Sequence, residues 1–289
     1  MAQELSDVSV VMITRGRPGD AVAAVRRLLD LPERPQVVVV DHNAEPLPER
    51  YPDDDRLLVL RPGHDLGAAG RNLGVESCRS PFVAFCDDDS WWQPGSLSLA
   101  ASLFEDHPSV GLLAAHVTVE PDGRPDPFCT VLANSPLDPG VGPGTRVLGF
   151  MACAAVVRRE AFLATGGFPA GIGVGAEEDR LALDLAATGW ELRYVPNLRV
   201  HHQPGLGRDH SQRNRVLMRN ALWASWQRLP LVLTLRESAA LLARRRRTPG
   251  AWAGAAEAVA GAPRVLLSRS VVPPSVAADR ARLLETSLQ

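Results

Sequence analysis

Four short apolar runs limit what this chain can fold into: residues 8–13 (VSVVMI), 36–40 (QVVVV), 56–60 (RLLVL) and 82–86 (FVAFC). None alternates polar with apolar; three of the four are rich in β-branched or aromatic residues, and 56–60 is mostly leucine. That is the pattern of strands covered on both faces in a parallel sheet. The segments between them suit helices. Ala21 to Leu31 is amphipathic, and residues 66–77 (LGAAGRNLGVES) are small enough to lie close on a sheet. Strand alternating with helix predicts an α/β fold built on a doubly wound, mostly parallel sheet flanked by helices. Ligands of such sheets sit beyond the carboxyl ends of the strands. Asp41 stands at the end of the second run and Asp87-Asp88-Asp89 at the end of the fourth.

Further along, residues 96–107 and 176–188 read as helices. Residues 110–119 read as a strand and 147–157 (VLGFMACAAVV) as another buried one, and Trp190–Val195 leads into the last. Residues 120–145, rich in Pro and Gly, read as loop. Residues 213–289 read as helical, with a break at Thr248-Pro249-Gly250. The expected organisation is an α/β domain over residues 1–212 and a basic helical extension over 213–289.

Charge sharpens that division. Residues 1–212 carry a net charge of −11 and residues 213–289 one of +9. A basic tail on an acidic body is suited either to an anionic membrane surface or to docking on its own body; nothing else in the chain suggests a nucleic-acid partner. All 31 Lys+Arg positions are arginine. With no lysine there is no P-loop lysine, which excludes the usual kinase and ATPase readings. The four cysteines form no CxxC pair, so neither a disulfide framework nor a zinc site is indicated. The start, MAQELSDVSVVMI, lacks the basic flank and apolar stretch of a secretory signal. No apolar run reaches the roughly 18 residues that span a bilayer. A cytoplasmic protein is expected, either free or peripheral at the inner face of the plasma membrane.

Asp87-Asp88-Asp89 is the most informative triplet. Carboxylates two apart at a strand end can converge on a hard cation that also takes phosphate oxygens. The chain contains a control in Asp53-Asp54-Asp55, which follows Tyr51-Pro52 in a polar stretch and reads as loop. The triplet at 87–89 instead lies between FVAFC and Trp91-Trp92, at the edge of a core.

VSVVMITRGRP, VVVVDHNAEP, LGAAGRNLGV, SPFVAFCDDDSWWQPGSL and GAEEDRLALDLAATGW occur in this order over residues 7–205. Together they resemble the family 2 glycosyltransferases. The resemblance implies a GT-A-type fold with the basic segment as a helical C-terminal extension. It implies transfer of a glycosyl group from a nucleotide diphosphate sugar to an acceptor hydroxyl, with inversion and with Mg2+ or Mn2+. The acceptor is a saccharide, a lipid-linked saccharide or a small molecule. The setting is cell-envelope polysaccharide, glycolipid or secondary-metabolite glycosylation.

By the same resemblance Thr14, Arg17, Asp41, Arg71, Asn72, Asp87 and Asp88 hold the nucleotide, and Asp87 and Asp89 hold the metal. His201 or His202, after the last strand, adds a metal or diphosphate contact. Glu177-Glu178-Asp179 supplies the base. The family pattern is Glu-Asp and this chain has three acids in a row, so the base falls on Glu178 or Asp179. Glu178 is favoured because it shares a helical stripe with Leu181, Ala182 and Leu185. Trp91 and Trp92 either stack on a sugar or belong to the core. Gly171-x-Gly173-x-Gly175 lacks the spacing of a dinucleotide loop and reads as a mobile loop beside the acceptor. Two rivals stand: a sugar nucleotidyltransferase, for which TRGRPGD is a poor phosphate loop, and a non-catalytic binding or scaffold protein of the same fold.

Overall fold

A computed structural model describes residues 6–43, 51–205 and 210–286 of the 289-residue chain. The first residues of the N-terminal stretch (1–5) and the end of VVVVDHNAEP (44–46) lie outside the described residues. The first four expected strands form: β1 (Val8–Thr14), β2 (Val37–Asp41), β3 (Leu57–Leu60) and β4 (Phe82–Asp87). They pair in parallel in the order β3-β2-β1-β4. β2 is buried along its whole length, as an unbroken VVVV run requires. β3 is half-buried rather than buried, because it is the edge of the sheet and has a neighbour on one side alone.

Two helices separate these strands. α1 (Pro18–Leu29) starts earlier than its apolar stripe suggests, because Pro18 at the first turn has its φ already set for a helix. α2 (Gly70–Ser77) follows a single 3-10 turn at 67–69. It lies so close to the sheet that a Cβ on Gly74 would come within 2.4 Å of the Val11 side chain. After β4 come β5 (Ser90–Trp92), α3 (Ser96–Asp106), β6 (Val110–Val119), β7 (Arg124–Pro125) and α4 (Pro127–Ala133). β7 and α4 fall where loop was expected. The signal for α4 was local: Asp126 caps it by accepting from Phe128 N at 2.8 Å, and Pro127 occupies its first turn.

Residues 147–157 do not form one strand. β8 (Thr145–Val147) pairs with the last strand, the chain then turns, and β9 (Ala155–Arg158) inserts antiparallel between β4 and β6. An apolar run reports burial and not direction, so periodicity alone missed the turn at Met151–Ala154, where the Ala154 amide bonds the Met151 carbonyl at 3.0 Å. After α5 (Arg159–Ala164) and α6 (Glu177–Ala187), β10 (Glu191–His202) completes a ten-stranded sheet whose main path is β3-β2-β1-β4-β9-β6-β10-β5, with β7 paired to β6 and β8 to β10 off that path.

The tail forms α7 (His210–Arg228), α8 (Leu231–Arg245), α9 (Ala251–Leu267) and α10 (Pro274–Thr286). A boundary at 212/213 would cut through α7. Much of the basic charge is spent within the molecule. Arg228 Nε stands 2.5 Å from Asp184 of α6, and Arg280 bonds Glu237 of α8 and lies 3.7 Å from Asp179 of α6. α7 and α9 meet at glycines: a Cβ on Gly254 would lie 2.2 Å from the Arg215 carbonyl oxygen. Arg244, Arg246 and Arg247 remain exposed beside Trp252, which is 62% exposed. Among the described residues, no helix is long and apolar enough to cross a membrane.

Candidate active site

The parallel register brings the expected carboxylates to one end of the sheet. Thr14 pairs with Asp41 across β1 and β2, and Ile13 pairs with Asp87 across β1 and β4. Beyond β4 the chain turns sharply, and the Ser90 hydroxyl accepts from Asp87 N at 2.9 Å. The turn aims Asp88 and Asp89 back at the loop after β1. Thr14 Oγ1 donates to Asp88 at 2.9 Å, and Arg17 Nη1 bridges Asp88 at 3.1 Å and Asp89 at 2.7 Å. Burial pushes the Asp88 carboxyl up to about 6, against the opposing pull of Thr14 and Arg17.

Beside this cluster are buried polar atoms that have no hydrogen-bond partner among the described residues. Asp41 is fully buried. Its Oδ1 accepts from Asn43 N and Nδ2 at 3.0 and 2.6 Å, while Oδ2 has no hydrogen-bond partner among the described residues. The nearest cation to that oxygen is Arg61, with Nε at 3.4 Å. His42 Nε2 and the Tyr51 hydroxyl are likewise buried and unpaired among the described residues. Burial lowers the His42 pKa, which keeps the ring neutral, and raises that of Tyr51. Buried polar groups of this kind cost free energy until something bonds them, so these atoms call for a hydrogen-bonding partner. The sequence pointed to Asp41 but not to its companions. His42 was legible as its neighbour in DHN. Tyr51 comes from a polar stretch with no pattern, and Arg61 directly follows the RLLVL run, at the end of β3.

Arg71 lies elsewhere than a base edge. It is 1% exposed, bonds Asp87 Oδ1 at 2.5 Å, and lies 3.8 Å from Glu177 Oε1 at the start of α6. It therefore stands in the wall between the metal-type carboxylates and the candidate base. Asn72 points away from the cleft. Both ends of its carboxamide are committed to the Phe168 main chain at 2.9 Å, which clamps α2 to the segment leading into the glycine loop. The carboxamide serves as a clamp on that main chain and is not turned to the cleft, and the expectation for Asn72 is corrected accordingly.

The three acids of α6 diverge, as consecutive positions on a helix must. Glu177 is buried, accepts from Gly175 N and faces Arg71. Asp179 turns to the far side, toward Arg280 of α10, so the reading of it as base is corrected. Glu178 opens onto the cleft, 3.4 Å from the amide of Ala152. Burial, reinforced by the charge of Glu177, pushes its carboxyl up to about 8. Leu181, Ala182 and Leu185 are buried beneath it, the inward stripe expected.

The glycine loop before α6 is held in place rather than loose. Asn220 of α7, itself buried, donates to the carbonyls of Ile172 at 3.0 Å and Gly175 at 2.7 Å, and Arg219 adds a bond to Ile172 at 2.6 Å. On its other side Ala68 N reaches the Gly173 carbonyl at 3.4 Å. Gly171, Gly173 and Gly175 all have positive φ, and Ala176 enters the helix in a left-handed conformation at φ 60°. The tail thus positions the loop that presents Glu177 and Glu178. No sequence pattern marked Asn220.

His201 and His202 separate because side chains alternate along a strand. His202 Nε2 comes within 3.4 Å of Asp89. His201 turns to the other face, stacks on Trp91 at 5.3 Å and bonds Glu120 at 2.8 Å, and so is not brought to the carboxylates. Arg27 covers the opposite face of Trp91 at 3.8 Å. Trp92 is core, its indole donating to the Phe85 carbonyl at 3.0 Å.

Among the described residues no three His, Cys, Asp or Glu side chains converge closely enough to hold an ion unaided. The donor set still fits a hard divalent cation. Asp87, Asp89 and His202 reach the same cleft from two strand ends. Such ions are commonly held by one or two carboxylates, with substrate phosphates and water completing the sphere. The cleft itself has two lobes. One, of about 520 Å³, is lined by Thr14, Arg17, His42 and the carboxylate triplet. The other, of about 590 Å³, contains Glu178 and His202; Arg71 and Asp87 border both.

A model of the family described as "Glycosyl transferase family 2" matches residues 9–164. That span includes the carboxylate triplet and ends before α6. The pre-mycofactocin glycosyltransferase of Mycobacterium tuberculosis is 31% identical over 208 residues, which cover 68% of this chain and 42% of that protein. The chain therefore spans less than half the length of this curated relative. A mannosyltransferase from Pyrobaculum calidifontis, solved with GDP-Man and Mn2+, superposes with a TM-score of 0.57 at 16% identity, over 99% of this chain and 87% of that one. GalNAc-T7, solved with UDP, GalNAc and Mn2+, superposes at 0.57 with 15% identity, over 76% of this chain and 48% of that one. S. aureus TarS 1-349 gives 0.58 at 18% identity, over 82% and 71%. At these identities the likeness is one of fold, the GT-A fold.

Proposed function

The chain belongs to glycosyl transferase family 2, and from that premise we propose that it moves a sugar from a nucleotide diphosphate sugar to an acceptor hydroxyl, with inversion and with a divalent cation. One observation carries the reading: Glu178, its proton affinity raised by burial, opens onto the same cleft as Asp87, with Arg71 between them. A base of this kind and a carboxylate pair suited to a metal diphosphate are the two parts that direct displacement requires.

The orphaned oxygen of Asp41 and the unpaired His42 and Tyr51 atoms receive the base of the nucleotide. Arg17 and Thr14 hold Asp88 and Asp89 in position until the donor enters, and Arg17 is then placed to meet the diphosphate. Asp87, Asp89 and His202 would hold Mg2+ or Mn2+, which when bound offsets negative charge on the departing diphosphate. Glu178 removes the proton from the acceptor hydroxyl as that oxygen attacks the anomeric carbon from the face opposite the diphosphate. The C–O bond to the acceptor forms as the C–O bond to the phosphate breaks, and no covalent sugar–enzyme intermediate is needed. Proton NMR of the product made with Mn2+ and an active donor checks this. The anomeric configuration is expected to be the opposite of the donor's; retention would exclude Glu178 as a simple base.

The exposed Arg244, Arg246 and Arg247 beside Trp252 support a second, peripheral role for the tail at an anionic lipid surface. Co-sedimentation with phosphatidylglycerol vesicles is expected at low salt and is expected to disappear in R244E/R246E/R247E. No sedimentation at low salt would assign the tail to packing alone, and sedimentation that ignores both salt and the substitutions would show that these arginines do not carry it.

A further inference from the structure

We propose that the acceptor hydroxyl is carried on a compact apolar skeleton and not on a saccharide. The inference rests on the transferase reading above and concerns the lobe of the cleft that contains Glu178. That lobe is lined in part by Met151, Ala152 and Cys153 and by Val174, Val216 and Leu217. Burial pushes the Cys153 thiol well above its usual pKa, so it is uncharged. Val174 is 54% exposed, and Met151, Val216 and Leu217 keep part of their surface open. Apolar side chains left wet beside a catalytic-type carboxylate gain from a ligand that removes water from them.

Of the polar groups of the same lobe, Gln212 and Arg213 are exposed to solvent, and two of the acids are already committed. Asp126 holds the first turn of α4 through Phe128 N. Glu177 is taken by Gly175 N and Arg71. Each saccharide hydroxyl brought out of water needs a partner or costs free energy, and a hydroxyl laid against Met151, Ala152, Val174, Val216 or Leu217 side chains finds none there. Among the described residues no Phe, Tyr or Trp lines the lobe to offer a sugar a stacking face. Size agrees. A cavity of about 150 Å³ holds one benzene ring, so about 590 Å³ accommodates the transferred sugar and roughly two further ring-sized groups.

The test uses 4-methylumbelliferone, a flat apolar phenol followed by its own fluorescence, against methyl β-D-glucopyranoside. Both are titrated into the full chain with Mn2+, with and without a nucleoside diphosphate. Nucleotide binding is read separately in every sample by thermal shift. Saturable binding of the phenol is expected, weakened about tenfold or more in Met151→Gln and in Leu217→Asn. Nucleotide binding should not change in either variant, and the glucoside should not compete at equal concentration. The proposal is overturned if the glucoside displaces the phenol, if the phenol shows no saturable binding, or if both variants bind it as the wild type does. Loss of nucleotide binding in the wild type would instead count against the transferase reading.

Discussion

Glu178→Gln is expected to reduce transfer by about 10²–10⁴-fold, the usual contribution of a positioned base, while leaving nucleotide binding unchanged. Gln keeps the size of the side chain and its contact with the Ala152 amide but cannot take a proton. In the wild type, kcat/KM should rise with pH through an apparent value near 8, because burial and the charge of Glu177 hold the proton on Glu178 below that point. Stability should change in the opposite sense. The unfolded chain releases this proton near the ordinary value of ~4.3, whereas the folded chain keeps it to about 8. The folded state therefore binds more protons across that window, and the wild type loses stability as pH rises through it. Gln has no such proton. The melting temperature of Glu178→Gln relative to the wild type should accordingly increase between pH 5 and pH 8. An inactive variant whose relative stability is flat in pH would mean that Glu178 is not buried as an acid.

Arg71→Met is expected to be the most damaging single substitution in the cleft. The guanidinium is 1% exposed and lies against Asp87 and Glu177, of which Glu177 is equally buried. Removing one partner of a buried ion pair costs about 3–5 kcal/mol, because a charge is left unpaired in a poorly solvating interior. In a chain of this size each kcal/mol moves the melting temperature by roughly 2–4 °C, so a fall of about 10 °C is expected, with transfer lost. Arg71→Met combined with Glu177→Gln should recover part of the stability, since the uncompensated carboxylate is gone, and recover none of the activity. If Arg71 were a surface contact to the nucleotide, Arg71→Met would weaken donor binding and leave the melting temperature within about a degree.

The sheet was legible because unbroken β-branched runs are a direct consequence of burial on both faces. β1, β2 and β4 fall where VSVVMI, QVVVV and FVAFC place them. The strand ends then located the carboxylates without knowledge of any side-chain contact. The helical stripe beneath Glu178 separated it from Asp179 for the same kind of reason, since a 3.6-residue repeat ties face to spacing. What was missed depends on chain direction and on distant contacts. VLGFMACAAVV reports burial through both β8 and β9 but not the turn between them. Asn72 and Arg71 are adjacent in sequence, and nothing local says that one faces Phe168 and the other Asp87. His201 and His202 are equally alike until β10 assigns them to opposite faces. Asn220 lies 45 residues from the Gly175 carbonyl it holds, which is why the tail read as an appendage instead of a support for the site.

The central claim is that Asp87, Asp88, Asp89 and the buried polar groups around Asp41 form a metal-assisted nucleotide site. Thermal stabilisation by UDP, dTDP and GDP, each with and without Mn2+, tests it most directly when run on the wild type and on Asp89→Ala. A ligand that binds the folded state alone raises the melting temperature in proportion to its occupancy. The expected result is a shift with one of the three nucleotides that depends on Mn2+ and is lost in Asp89→Ala. A wild-type protein that shifts with none of them, or a shift that survives both removal of Mn2+ and the substitution, would contradict the claim.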